Sequence, residues 1–212
     1  MKIVETAIRR RRLYLMRLED GREMPVDRQT FDESSYRVDG DITEDQLERL
    51  LADSQYNRAR ERALYLLGLR DYAGKELEQK LHTEAAPDIA AAVVSRLQEV
   101  GLVDDRQFAH RLARHLSEYK QYPQRRILQE LSRRGVDGET AREAVESLDG
   151  EDFQQALALL EKKYYNKMND RESRQRVIAA LARRGFSYTA IRRAMEQFGT
   201  AMEESEEMEP WP

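Results

Sequence analysis

The sequence predicts a mainly α protein: three tandem three-helix repeats forming an elongated, curved module, preceded by a small N-terminal β-hairpin region. Two observations carry this. The stretch LQELSRRGVD (residues 128–137) is restated fifty residues later as IAALARRGFS (residues 178–187). From Tyr56 onward apolar residues recur at helical spacing, whereas the first 40 residues alternate loosely around a turn dipeptide.

That dipeptide, Asp20-Gly21, suits a tight hairpin turn. It makes residues 12–19 and 22–26 a β-hairpin within a region spanning 1–41. Residues 42–51 (ITEDQLERLL) open a helix, with Thr43 as N-cap and Gln46 three positions on, a capping-box pattern. We assign 42–55 as a helical linker that leads into the repeats.

The repeats occupy 56–103, 104–150 and 151–199. Leu77 and Leu81 fall in step with Ile127 and Leu131, and again with Val177 and Leu181, each at a spacing of fifty. Leu97, Leu148 and Phe198 keep the same phase within one residue. The first copy lacks the Arg-Arg-Gly of the others and has His82-Thr83-Glu84 in that region. Each repeat reads as a long helix, a short helix of two turns and a third of three turns. So short a helix cannot bury its stripe alone, so each repeat must close as a bundle or against its neighbour. Gly101, Gly135, Gly138, Gly150 and Gly185 punctuate the pattern as helix stops or turns. Within the repeated phrase, Leu131 and Leu181 are core, and Gly135 and Gly185 are left-handed C-caps. Val136 and Phe186 fold back onto the helix, and Asp137 and Ser187 cap the next one.

Charge is unevenly spread. Lys+Arg against Asp+Glu is 10 to 13 over residues 1–55, 7 to 7 over 56–103 and 9 to 9 over 104–150. It is 10 to 6 over 151–199, and 0 to 5 over 200–212, a tail expected to be disordered. No run approaches the ~18 consecutive apolar residues of a membrane helix, and residues 1–15 lack an apolar core of signal-peptide length. With no cysteine in 212 residues, disulfides and thiolate metal sites are excluded. A cytoplasmic protein that does not engage membranes is expected.

Catalysis is not expected. His110 and His115 stand five apart, on different faces of a helix, where metal pairs need three or four. No nucleotide-binding or hydrolase motif appears. Asp104-Asp105 reads as helix capping rather than an acid pair. No catalytic residue, metal or other cofactor is assigned. The arginines are what the fold does not require. Arg125, Arg126, Arg133 and Arg134 flank the short helix of the second repeat; Arg174, Arg176, Arg183, Arg184, Arg192 and Arg193 do so in the third. One cation per helix end complements the dipole; four to six per repeat exceed that need. The third repeat is read as lacking acidic i, i+4 partners. These ten are the candidate partner- or DNA-binding basic face, since arginine forks suit phosphate or carboxylate. Tyr119, Tyr122, Tyr164, Tyr165 and Tyr188 lie near them, as core or rim of the bundles rather than as stacking platforms.

Ala63-Leu64-x-Leu66-Leu67-x-x-Arg70-x-Tyr72-x-x-x-Glu76-Leu77-x-x-Lys80-Leu81 resembles the first-repeat signature of the RecX family, regulators of the RecA recombinase. Glu99-x-Gly101-Leu102-x-Asp104-Asp105-x-x-Phe108-Ala109 resembles the join into the second repeat. Arg126-Ile127-x-x-Glu130-Leu131-x-x-Arg134-Gly135-Val136 resembles that repeat's short helix. The resemblance covers residues 56–199. Ala73 stands where the family usually has Ser, Tyr122-Pro123 where it often has Gly, and the third repeat is lengthened at KKYYNKMNDRES. The resemblance implies a non-enzymatic regulator of homologous recombination and DNA repair, and a monomer is expected. It would bind the RecA-type recombinase filament on single-stranded DNA and hinder its ATP hydrolysis, strand exchange or extension. Contact of the basic face with single- or double-stranded DNA is part of that expectation. The alternatives are a DNA-binding helical module without a recombinase partner, or a helical-repeat scaffold for another protein.

Overall fold

A computed structural model describes residues 1–10, 12–148, 151–165, 168 and 170–207. The chain divides into two compact units, residues 1–104 and the remainder from 105.

In the first unit, strands β1 (Ile3–Arg10), β2 (Leu13–Leu18) and β3 (Glu23–Asp27) form an antiparallel sheet in the order β1-β2-β3. The β2–β3 hairpin is the one expected, with Gly21 at φ 86° in its turn. Strand β1 was not expected. Ile3 is its only buried residue, so the strand carries no period-2 apolar signal. Helix α1 (Arg28–Glu33) follows, its first turn capped by Asp27, whose carboxylate accepts the Thr30 N–H at 3.0 Å.

Helix α2 (Glu44–Leu67) starts with the expected capping box. The Thr43 hydroxyl accepts from the Gln46 N–H, and the Gln46 side chain accepts from the Thr43 N–H. It runs unbroken through the proposed linker into the first repeat. Its first half buries Leu47 and Leu50 with Ile3, Met16, Leu18 and Phe31 of the sheet region. Its second half buries Ala59, Ala63 and Leu66 with Leu77 and Leu81 of α3 (Gly74–Leu81) and Val93 and Leu97 of α4 (Pro87–Glu99). The two halves bury different faces, so no single stripe runs along α2 and the sequence reads as two segments. At α3, Ala73 occupies the N-cap and offers no side-chain hydrogen bond.

The second unit holds α5 (Asp105–Glu118), α6 (Gln124–Arg133) and α7 (Gly138–Glu146), then α8 (Glu151–Tyr164), α9 (Arg171–Arg184) and α10 (Tyr188–Glu207). The repeated phrase is the end of α6 and of α9. Leu131 and Leu181 are fully buried, and Gly135 and Gly185 take φ 83° and 102°. The N–H groups of Val136 and Phe186 reach back to the carbonyls of Leu131 and Leu181, at 3.1 and 3.3 Å, and both side chains are buried. Each helix thus ends in a turned-back cap with an apolar clasp. Asp137 then accepts the N–H groups of Glu139 and Thr140, and Ser187 that of Ala190.

Three expectations change. Gly138 opens α7 rather than stopping a helix. The second helix of the third repeat is not two turns but 14 residues, started by a reciprocal cap between Asp170 and Ser173. The acidic stretch from 200 was expected to be disordered, yet α10 continues through Glu207. Alanine, methionine and glutamate are good helix formers, and no Gly or Pro interrupts them there. Residues 208–212 of that tail, Gly150, and Asn166, Lys167 and Asn169 of the lengthened segment lie outside the described residues.

Candidate partner-binding surface

The second helices of the last two repeats carry arginines at matching positions. Arg126, Arg133 and Arg134 of α6 fall in step with Arg176, Arg183 and Arg184 at the spacing of fifty. In each helix the first two are seven residues apart, which places them on one face. The buried positions Ile127 and Leu131, and Val177 and Leu181, fix the opposite face against the bundle.

The structure brings some of the ten arginines together and separates others. Arg126 and Arg184 line one cleft of about 160 Å³ with Lys120, Tyr122 and Gln155. The link is backbone geometry: the left-handed turn at Gly185 packs against Pro123 and Arg126 at the start of α6. The Arg126 guanidinium stacks over the Tyr122 ring at 3.7 Å and donates to the Tyr122 hydroxyl at 3.0 Å. Arg174 and Arg192 line a second, mostly apolar cleft of about 270 Å³ between α9 and α10, with Ile178, Tyr188 and Met195. The Arg174 Nε donates to the Met168 carbonyl. Arg193 packs over the Phe153 ring at 4.9 Å. Arg133 and Arg134 sit at the far end of α6 from Arg125 and Arg126, about 12 Å along the axis.

Partners differ as well. Arg133 pairs with Glu130 at 3.0 Å, Arg176 with Glu172 at 2.6 Å and Arg192 with Glu196 at 3.6 Å. The third repeat therefore has two acidic i, i+4 partners, against the expectation that it lacks them. Arg183 donates from Nε to the Ala179 carbonyl. Arg125, Arg126, Arg174, Arg183, Arg184 and Arg193 have no carboxylate partner among the described residues.

Sequence reasoning missed Lys120, and took Tyr122 as core or rim of a bundle. The fifty-residue phase was a usable signal: Arg70-x-Tyr72 precedes α3 as Lys120-x-Tyr122 precedes α6. There Arg70 stacks on Tyr72 at 3.6 Å and pairs with Glu76 at 2.6 Å, which raises its pKa further. A cation over this tyrosine thus recurs, supplied from before the helix in one repeat and from within it in the next.

Among the described residues no group of three or more His, Asp or Glu is placed to hold a metal ion. No described helix is long and apolar enough to cross a membrane.

These features define a tandem three-helix-repeat protein whose last two repeats present arginines from equivalent helices. Models of the second and the third three-helix domain of RecX match residues 104–145 and 150–195. The regulatory protein RecX of Clostridioides difficile (strain 630) is 29% identical over 160 residues, 74% of this chain and 76% of the relative. That of Bacillus subtilis (strain 168) is 33% identical over 155 residues, 70% of this chain and 58% of the relative. The crystal structure of RecX from Lactobacillus salivarius superposes with a TM-score of 0.66 at 22% identity, over 70% of this chain and 99% of that one. A second crystal structure, of regulatory protein RecX, gives 0.67 at 20% identity, over 92% and 98%. At that identity the two structures speak to fold alone. The chain belongs to the RecX family.

Proposed function

We propose that this chain is a non-enzymatic regulator of homologous recombination and DNA repair. It binds the filament that a RecA-type recombinase forms on single-stranded DNA and restrains its ATP hydrolysis, strand exchange or growth. Membership of a family whose members are named regulatory proteins supports the regulatory reading. The observation that carries the contact surface is the recurrence of Arg126, Arg133 and Arg134 as Arg176, Arg183 and Arg184 on equivalent helices. A filament is itself a repeating surface. Weak contacts made by successive repeats of one chain add through their high effective concentration.

The test is the single-stranded-DNA-dependent ATPase of a bacterial RecA with this protein titrated in. Suppression at sub-stoichiometric ratios is expected. No effect at excess, with DNA binding intact, overturns the recombinase reading. It would favour the second reading, a DNA-binding helical module, for which the stacked Arg126–Tyr122 pair beside Lys120 and Arg184 speaks. A phosphate-driven binder loses affinity steeply as salt rises.

A further inference from the structure

The sequence holds four consecutive arginines, Arg9 to Arg12, which the reading above does not use. Arg9 and Arg10 end β1 and Arg12 stands just before β2, which begins at Leu13; Arg11 lies outside the described residues. We propose that this arginine-tipped β1–β2 hairpin is a second contact site of the protein, one that takes the phosphodiester backbone of nucleic acid.

Most described arginines of the sheet region are already engaged, Arg37 through hydrogen bonds to the Ser34 and Tyr36 carbonyls and others through ion pairs. Arg12 pairs with Glu61, Arg17 with Glu5 and Glu23, Arg22 with Asp20 and Glu44, and Arg28 with Asp32. Arg9 and Arg10 are exposed, and their side chains make no ion pair, hydrogen bond or ring contact among the described residues. Two adjacent guanidinium groups left without counter-charge repel each other, and an external anion relieves that repulsion.

The described residues on either side of the tip are anchored. Arg12 is tied by its side chain to Glu61 in the second half of α2, and its carbonyl accepts the Arg28 N–H at 3.0 Å. Arg9 is the extra residue of a β-bulge: Ile8 pairs with Tyr14 and Arg10 with Leu13, two steps on one strand against one on the other. A bulge breaks the strict alternation of side chains and re-aims them locally. The site is thus built on anchored backbone, which lowers the ordering cost of binding.

Phosphate is favoured over an acidic protein surface for two reasons. Residues 1–55 carry 10 basic and 13 acidic side chains, so the tip is a local positive pole on an acidic region. A polyanion is repelled elsewhere and oriented toward the tip. Among the described residues the tip offers no exposed aromatic anchor of the kind that marks protein interfaces: Ile8 is 67% accessible, while Tyr14, its partner on β2, is half-buried and already packed against Phe31 and Arg28. A two-stranded ribbon is narrow enough to follow a nucleic-acid groove, with arginine forks matched to phosphate oxygens.

The experiment is fluorescence anisotropy of labelled single-stranded and duplex oligonucleotides with the full chain across a salt series. Arg9→Ala/Arg10→Ala is expected to reduce the slope of log K against log salt by about 1.4 on single strands or about 1.8 on duplex, the values for two phosphate contacts. Arg17→Ala, on the same sheet but already paired, leaves the slope unchanged. The strand type showing the change identifies the source of the phosphate. Equal slopes for the double variant and the parent on both DNAs overturn the proposal. So does absence of DNA binding at low salt, or displacement of DNA by polyglutamate of equal charge. No recombinase is present in this assay, so its failure is distinct from failure of the ATPase test.

Discussion

The carboxylate of Asp152, near the start of α8, accepts the backbone N–H of Gln124 in the first turn of α6 at 2.8 Å. Helix α6 follows Pro123, which offers no capping oxygen, so its first N–H groups need a partner from elsewhere. The next repeat supplies it, from a residue that is itself buried. Beside it, the Gln155 side-chain amide donates to the Ser117 carbonyl and hydroxyl, at 3.3 and 2.8 Å. The second and third repeats are therefore joined by polar contacts as well as packing.

Asp152→Ala should lower the unfolding free energy by about 1–2 kcal/mol, the usual cost of losing an N-cap. Asp152→Asn, which keeps an acceptor oxygen, should cost less. Urea unfolding of the full chain measures both. Equal stability of Asp152→Ala and the parent would remove the cap from any role in joining the repeats.

Gly185 supports the same join by conformation. An added Cβ there would meet the Arg126 Cβ and Pro123 Cγ at 3.8 Å, an ordinary contact, so space is not the obstacle. The backbone is: φ is 102°, where L residues are disfavoured by about 1–2 kcal/mol. Gly185→Ala should show about that loss, and Gly185→Asn less of it, in the same unfolding experiment.

What the sequence made legible follows from where its signals are local. The repeat phase could be read because Leu77, Ile127 and Val177 occupy one buried position in three bundles. The Gly caps and the Thr43 capping box could be read because each closes within a few residues. The Asp152 cap could not, since its helix starts 28 residues earlier in the chain. Strand β1 could not, since nearly all of it is exposed. For the candidate surface, the arginines were legible but their grouping was not. Arg126 and Arg184 share a cleft only because the turn at Gly185 docks on Pro123. The pairs Glu172–Arg176 and Arg192–Glu196 do stand at i, i+4 in the sequence; the net positive count over the repeat obscured them.

Two of the repeat caps contribute to the acid side of the stability curve. The Asp137 carboxyl is held below the usual aspartate range by hydrogen bonds from the Thr140 side chain and the Thr140 and Glu139 backbone. Asp170 is held low by hydrogen bonds from the Ser173 backbone and hydroxyl. A carboxyl with a depressed pKa in the folded state contributes stability that is present above its unfolded value. That contribution is lost as pH falls through the folded value. These caps should therefore contribute a constant amount from neutral pH down to about 5, then lose it below about 4. Thermal melts across that range check this, with Asp137→Asn expected to flatten part of the acid-side fall. A fall equally steep in Asp137→Asn and Asp170→Asn chains would assign the loss to other groups.

The arginines differ in how much charge they have to offer a partner, and this ranks their variants. Arg133 and Arg176 already face Glu130 and Glu172, so removing either leaves a carboxylate that was previously paired. Arg126 and Arg184 share the cleft with Lys120, and neither has a carboxylate among the described residues. Charge reversal at Arg126 and Arg184 should therefore weaken suppression of the recombinase ATPase more than reversal at Arg133 and Arg176. Loss of one charge-assisted contact of about 1.5–3 kcal/mol corresponds to roughly a tenfold to hundredfold rise in the concentration needed. All four side chains are exposed, so far-UV circular dichroism should show the helices intact in each variant. Equal potency of the Arg126→Glu/Arg184→Glu chain and the parent would move the contact off this cleft, to the far ends of α6 and α9 or to another part of the protein.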